Sequence, residues 1–424
     1  MNVTIYPSGV SGSVMSPRSK SSMQRACAAA LLRKGRTEIR LPGTSNDDKA
    51  ALDVIQKLGA IVDTEADRIL VSSQGVEPLS DVIHCGESGL GIRMFTPIAA
   101  LCDKPLRITG SGSLVTRPMH FFDEIFPLLS IDVQSTDGHL PLQVKGPLKP
   151  ADISVDGSLS SQFLTGLLMA YSAAAASGVT IHVRDLKSRP YIDLTLSVMR
   201  SFGMHLPEAT EGNDFIFHAP VARPDQDIIR YAVEGDWSGA SFLIVAAAIA
   251  GDLRIEGLQE DSVQADKAIL TALTRAGGVF QCRDGVLEVR KSVLRGFEFD
   301  ATECPDLFPP LVAMAAHAKG TTLLRGVSRL AHKESDRGLT LQEEFGKLGV
   351  AITLEGDLMR IDGGHVLRGA STRSHHDHRI AMAVAVAALA GSASVTIDDA
   401  EAIRKSYPDF FRDLASIGAR VEGF

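Results

Sequence analysis

The chain has 424 residues, 45% of them hydrophobic and 22% charged, with a formal net charge of −8. This size and balance exclude a minimal binding module, a disordered chain and a disulfide-stapled secreted scaffold, and fit two to three domains or one large repeat array. The negative charge argues against nucleic-acid binding driven by bulk electrostatics, and 5% aromatics with one Trp argue against a stacking platform for single strands. Five scattered cysteines, Cys27, Cys85, Cys102, Cys282 and Cys304, show no CxxC spacing, which fits reduced thiols in a cytoplasmic protein and offers no zinc site. The first residues lack a charged region followed by an apolar core, so no signal peptide is expected. The longest apolar runs, 242–250 and 380–390, are too short to span a bilayer, and no membrane partner is expected.

In chain order, the first elements read as a strand at 14–15, a helix at 24–32, a strand at 37–41, a helix at 47–57, and strands at 60–63 and 68–71. Asp47 and Asp48 put negative charge at the second helix's N-terminus, where the helix dipole favours it. The pattern recurs. Ala-rich runs at 26–32, 94–101, 163–176, 240–250, 311–318 and 380–390 are each followed by a Gly or Asp, at Gly35, Asp103, Gly178, Gly251, Gly320 and Gly391. Successive copies lie 68 to 75 residues apart. A second phrase stays in step: Leu58-Gly59-Ala60, Leu129-Ser130-Ile131, Phe202-Gly203-Met204, Ala276-Gly277-Gly278, Leu348-Gly349-Val350 and Ile417-Gly418-Ala419. Two interleaved series indicate six βαβαββ units and an α/β repeat protein. The last unit ends with one strand missing, and the spare strand Val3–Tyr6 supplies it, so both termini belong to one lobe. Three units per lobe then give an N-terminal lobe of 12–225 and a C-terminal lobe of 1–11 plus 226–424. The expected crossings lie near 8–11 and 223–228, with a cleft between the lobes as the ligand site.

Polar and cationic residues gather where the Ala-rich helices begin. Helix N-termini present unpaired N–H groups and a positive dipole end, suited to phosphate or carboxylate. Lys20, Arg25, Arg93, Arg117, Lys333, Arg337, Arg379 and Lys405 near such loops, in an acidic chain, point to a small polyanionic ligand. Taken alone, Ser160, Ser161 and Asp306 fit helix caps as well as ligand contacts. No GxxxxGK[ST], dinucleotide fingerprint or GxSxG elbow is present. His375-His376-Asp377-His378 is nearly contiguous and has no i, i+4 pair, so no metal site is expected.

The ordered pieces Ser19-Lys20-Ser21 with Arg25, Asp156-Gly157-Ser158-Leu159-Ser160-Ser161-Gln162-Phe163 and Ser188-Arg189-Pro190-Tyr191-Ile192-Asp193 resemble the EPSP synthase family. So do Pro305-Asp306, Lys333-Glu334-Ser335-Asp336-Arg337, Asp377-His378-Arg379 and Lys405-Ser406-Tyr407-Pro408-Asp409-Phe410-Phe411, and the resemblance spans essentially the whole chain. It implies a two-lobed enolpyruvyltransferase fold, three βαβαββ units per lobe in an inverse α/β barrel-like arrangement. It implies transfer of the enolpyruvyl group of phosphoenolpyruvate to the 5-hydroxyl of shikimate 3-phosphate by addition then elimination, without a cofactor, in a monomer. Lys20, Ser21, Arg25, Ser160, Ser161, Gln162, Ser188, Tyr191, Asp306 and Lys333 are then the shikimate 3-phosphate contacts. Lys20, Gly89, Arg117, Gln162, Arg337, Arg379 and Lys405 form the phosphoenolpyruvate shell, which glyphosate also occupies in this family. Asp306 is the base on the 5-hydroxyl, and Glu334 and Lys20 carry protons at the enolpyruvyl carbons. The chain departs from the family at Glu87-Ser88-Gly89-Leu90, where Asn-Ala/Ser-Gly-Thr is usual, and Arg93 is the candidate partner for Glu87. It also departs at Arg329, and at Pro17-Arg18 ahead of Ser19-Lys20. The UDP-N-acetylglucosamine enolpyruvyltransferases resemble it less, because Gly112 stands where they carry a reactive Cys. A non-catalytic phospholigand sensor is disfavoured by the retention of Asp306, Glu334 and Lys405.

Overall fold

The computed structural model describes residues 1–158, 160–220, 227–331 and 333–424. Leu159, most of the expected 223–228 crossing and the expected boundary at 225/226 therefore lie outside the described residues. The chain divides into two compact units: a contiguous one, Lys20–Val233, and a split one, Met1–Ser19 with Glu234–Phe424.

The contiguous unit contains helices α1 (Lys20–Leu32), α2 (Asn46–Lys57), α3 (Gly89–Ala99), α4 (His120–Ile125), α5 (Ser161–Ala173) and α6 (Arg189–Ser201). The split unit contains α7 (Trp237–Ala250), α8 (Ile269–Arg275), α9 (Phe308–His317), α10 (Arg337–Lys347), α11 (His378–Ala388) and α12 (Phe410–Ser416). Among the described residues each unit holds three four-stranded sheets of one pattern: a parallel pair, then two antiparallel steps. Around α3 and α4, for example, Val82–His84 runs parallel to Leu106–Thr109, which pairs antiparallel with His139–Lys145, itself in a hairpin with Asp132–Thr136. Val3–Tyr6 lies between Val395–Asp398 and Arg420–Glu422, so the first strand completes the last repeat.

The lobe boundaries differ from the sequence reading by an exchange of strands. The sequence reading puts the strand at 14–15 in one unit with the strand at 37–41, but the observed strand Val10–Met15 runs parallel to Gly251–Glu256, pairing Val10 with Gly251 through to Met15 with Glu256. Ile228–Ala232 takes the vacated place, parallel to Gly35–Arg40. The division therefore falls after Ser19 and after Val233, not at 11/12 and 225/226. A strand's alternation records which face is buried, but nothing in it identifies a parallel partner reached through a long connection.

In the contiguous unit α1, α3 and α5 pack on one another, and in the split unit α7, α9 and α11 do so. These helices are buried nearly all round, the environment that selects Ala-rich and Gly-rich sequences. A Cβ on Gly166 of α5 would stand 2.6 Å from Pro97 Cγ, 2.7 Å from Arg93 O and 2.8 Å from Met94 O, so glycine sets how closely α5 approaches α3. With helix bodies committed to the core, polar chemistry is concentrated in their first turns. No helix among the described residues is long and apolar enough to cross a membrane.

Candidate functional site

In the contiguous unit, Lys20 opens α1 and its Nζ donates to Asp47 Oδ2 at 2.9 Å, in the first turn of α2. Beside it, Ser45 and Asp48 form a capping box: Ser45 Oγ accepts from Asp48 N, and Ser45 N donates to Asp48 Oδ2 at 3.0 Å. Burial pushes the Asp48 carboxyl up to about 6 against the hydrogen bonds from Ser45. Ser21 is half-buried and Arg25 is buried. The Arg25 guanidinium donates to Thr195 Oγ1 at 2.9 Å, Ser21 O at 2.8 Å and Tyr191 O at 3.2 Å, which joins the first turns of α1 and α6. Ser160 caps α5, accepting from Gln162 N at 3.2 Å, and Ser161 is the first residue of that helix. Ser188 precedes α6 in a left-handed conformation and is buried.

Gly89 is the first residue of α3, capped by Ser88, whose Oγ also donates to Gln24 on α1 at 2.8 Å. A Cβ on Gly89 would stand 2.5 Å from Arg117 Nη1 and 3.6 Å from both Arg93 Nη1 and Gln162 Oε1. Four of the expected or neighbouring groups thus converge on one helix start, with both arginines buried. Arg93 donates to Gln162 Oε1 at 2.9 Å and lies over the Phe163 ring. The Glu87 carboxylate sits where a side chain on Gly112 would be, and Gly112 has φ +55°. A side chain at 112 would require the Glu87 carboxylate to move.

In the split unit, Asp306 lies in the turn Pro305–Leu307 that leads into α9. It accepts from Arg337 Nη1 at 2.8 Å, Lys333 Nζ at 3.2 Å and Arg379 Nη2 at 3.2 Å, while its carbonyl accepts from Arg379 Nη1 at 3.3 Å. Arg337 starts α10 and Arg379 lies in the first turn of α11. Arg337 also donates through Nη2 to Glu334 and through Nε to Asp377 Oδ2 at 2.7 Å. Lys405 donates to His376 O at 3.0 Å. Burial pushes the Asp306 carboxyl up, but Arg379, Lys333 and Arg337 outweigh it and hold it well below the usual carboxylate range. Burial lowers Lys333, partly offset by Asp306. Burial would also lower Arg337, but Asp377, Glu334 and Asp306 raise it overall.

The residues expected from the sequence therefore gather within their own units, Lys20 to Tyr191 on one and Asp306 to Lys405 on the other. Sequence reasoning missed the part played by three buried carboxylates. Asp377 is fully buried, holds Arg337, accepts from Ser335 Oγ at 3.2 Å and caps α11 by accepting from Arg379 N at 3.0 Å. In the sequence it stands in the Asp377-His378-Arg379 motif, which does not reveal its grip on Arg337. Asp47 holds Lys20, and its first-turn position suggested only a dipole role. Asp266 is buried, with its carboxyl pushed up to about 7 by burial, then by Asp306. Among the described residues Glu343, Glu344 and His375 bring ligating atoms within 4.8 Å of one another, but Lys347 Nζ already donates to both carboxylates.

The profile of the EPSP synthase (3-phosphoshikimate 1-carboxyvinyltransferase) family matches residues 6–414. A 3-phosphoshikimate 1-carboxyvinyltransferase of Clostridium novyi is 34% identical, covering 99% of this chain and 98% of its own length. That of Methanocorpusculum labreanum is 35% identical, with 99% of both chains covered. Among solved structures, EPSP synthase from Acinetobacter baumannii superposes with a TM-score of 0.79 at 24% identity over 100% of both chains. The enolpyruvyl transferase NikO from Streptomyces tendae gives 0.78 at 18% identity, covering 99% of this chain and 98% of its own. At those identities the two structures speak for the fold alone.

Proposed function

We infer the division of labour among these side chains from one premise: the chain belongs to the EPSP synthase (3-phosphoshikimate 1-carboxyvinyltransferase) family. The family's reaction is the chain's own. It moves the enolpyruvyl group of phosphoenolpyruvate to the 5-hydroxyl of shikimate 3-phosphate and releases phosphate. Ser21, Ser160, Ser161 and Ser188 take the 3-phosphate through hydroxyls and helix-start N–H groups. Tyr191 packs against the ring, and Lys333 and Asp306 take ring hydroxyls. Arg25 is assigned differently from the resemblance: its guanidinium is spent on Thr195, Ser21 O and Tyr191 O, so it holds the loops that contact substrate. Gly89, Arg117 and Gln162 take the donor phosphate, Arg337 and Arg379 its carboxylate through paired hydrogen bonds, and Lys405 completes that shell. Lys20 and Glu334 exchange protons with the enolpyruvyl carbons.

The observation that carries this reading is the clasp of Arg337, Arg379 and Lys333 on Asp306. Asp306 engages the cations that a donor carboxylate would use, and they hold it ionised as a weak base. A donor carboxylate arriving at Arg337 and Arg379 competes for those hydrogen bonds. The Asp306 carboxylate then loses part of its stabilisation and becomes a stronger acceptor for the 5-hydroxyl proton, timed to donor binding. Asp306→Asn tests this. Turnover should fall about 100-fold or more, the usual scale for a lost general base, while calorimetric affinity for shikimate 3-phosphate changes only a few-fold. Turnover close to the parent's would move the base elsewhere, with Glu334 next.

A further inference from the structure

Glu344 lies two turns along α10 from Arg337, and its side chain is fully buried. A buried carboxylate must be satisfied, and this one joins two elements. Its Oε2 accepts from Arg373 N at 3.0 Å, at the end of the strand Ala370–Arg373, and its Oε1 accepts from His375 Nε2 at 2.6 Å. The third donor, Lys347 at 2.8 Å, comes from α10 itself and connects it to nothing else.

His375 and His376 are consecutive left-handed residues, φ +53° and +56°. Two such residues in a row, neither of them glycine, need outside support to persist. The turn they make decides where three groups of the donor shell point. His376 O receives Lys405 Nζ, and the next residue, Asp377, receives Arg337 Nε and caps the helix start that carries Arg379. The Glu344–His375 bond ties this turn to the helix that begins with Arg337.

We propose that Glu344 and His375 are a positioning pair for the enolpyruvyl donor: the bond between them registers the His375–Asp377 turn against α10 and so sets the spacing of Arg337, Arg379 and Lys405. Neither residue touches substrate. The inference rests on the reading of those three cations as the donor's shell.

The test uses His375, whose side chain is 30% exposed, so that the fold survives its loss. His375→Ala should raise the KM for phosphoenolpyruvate about fivefold or more, lower kcat less, and leave the KM for shikimate 3-phosphate within about twofold. His375→Gln, whose amide N–H reaches as far as Nε2, should recover most of the loss. Lys347→Met should leave both KM values near the parent's, because that bond does not join the turn to the helix. A His375→Ala enzyme with a lowered Tm and an unchanged phosphoenolpyruvate KM would make the pair structural only and overturn the inference. Arg379→Lys separates the two levels of the argument. If it raises the donor KM while His375→Ala does not, the positioning role fails and the shell stands. If neither variant moves that KM, both fall.

Discussion

A methyl group on Gly89 would stand 2.5 Å from Arg117 Nη1, closer than real carbon contacts, so the guanidinium must give way. On the proposed assignment, Gly89→Ala acts on the donor phosphate through Arg117 as well as through the helix-start N–H. The phosphoenolpyruvate KM should rise about tenfold, equivalent to about 1.4 kcal/mol, and inhibition by glyphosate should weaken more. Shikimate 3-phosphate affinity, measured alone by calorimetry, should barely change; a donor KM and an inhibition constant both unmoved would remove Gly89 from the donor site. At the residue scale the sequence made Lys20, Asp306, Arg337 and Arg379 visible, because they sit in ordered motifs. How they are held was not visible there. Asp377 caps α11, while its grip on Arg337 crosses between two elements that no local pattern connects.

Two helix starts carry consequences that can be measured. Asp377→Asn keeps the shape of the α11 cap but withdraws the charge that faces the buried Arg337. Breaking a buried pair is expected to lower the unfolding free energy by about 3 kcal/mol, read by chemical denaturation, and the donor KM should rise with it. No change in either would show that Arg337 is held by Glu334 and Asp306 alone. At the start of α2, the Asp48 carboxyl is raised to about 6 by burial, above its ordinary value in an unfolded chain. For a group raised in the folded state, the stabilising contribution is complete below the unfolded value and is lost as pH rises through the folded one. The window is therefore about pH 4 to 6, with a loss of about 3 kcal/mol for a shift of about two units. The stability difference between Asp48→Asn and the parent should grow in the variant's favour across that window and level off above it. A difference independent of pH would mean that Asp48 titrates alike in both states. The helices themselves were legible in outline: the run at 47–57 is Asn46–Lys57, whereas the first helix begins at Lys20, four residues before the apolar run that announced it at 24–32. Its first turn is Lys20-Ser21-Ser22, and apolar periodicity is blind to such a polar turn.

The whole chain was readable as six repeats because each repeat buries the same faces and so repeats the same small and apolar residues. The strand exchange was not readable. Val10–Met15 and Ile228–Ala232 are both short strands before an Ala-rich helix, and either could have begun its own repeat. Partner choice between two such strands belongs to tertiary packing, and only the pairing registers reveal it. The catalytic residues expected from resemblance fall on both sides of that division, Lys20 in the contiguous unit and Asp306 and Glu334 in the split one. The reaction assigned to them is tested most directly by inorganic phosphate released from phosphoenolpyruvate, followed with and without shikimate 3-phosphate. Release should require shikimate 3-phosphate, match the enol ether formed one for one, and fall about 100-fold in Asp306→Asn. Release without the acceptor, or none in its presence, would contradict the account.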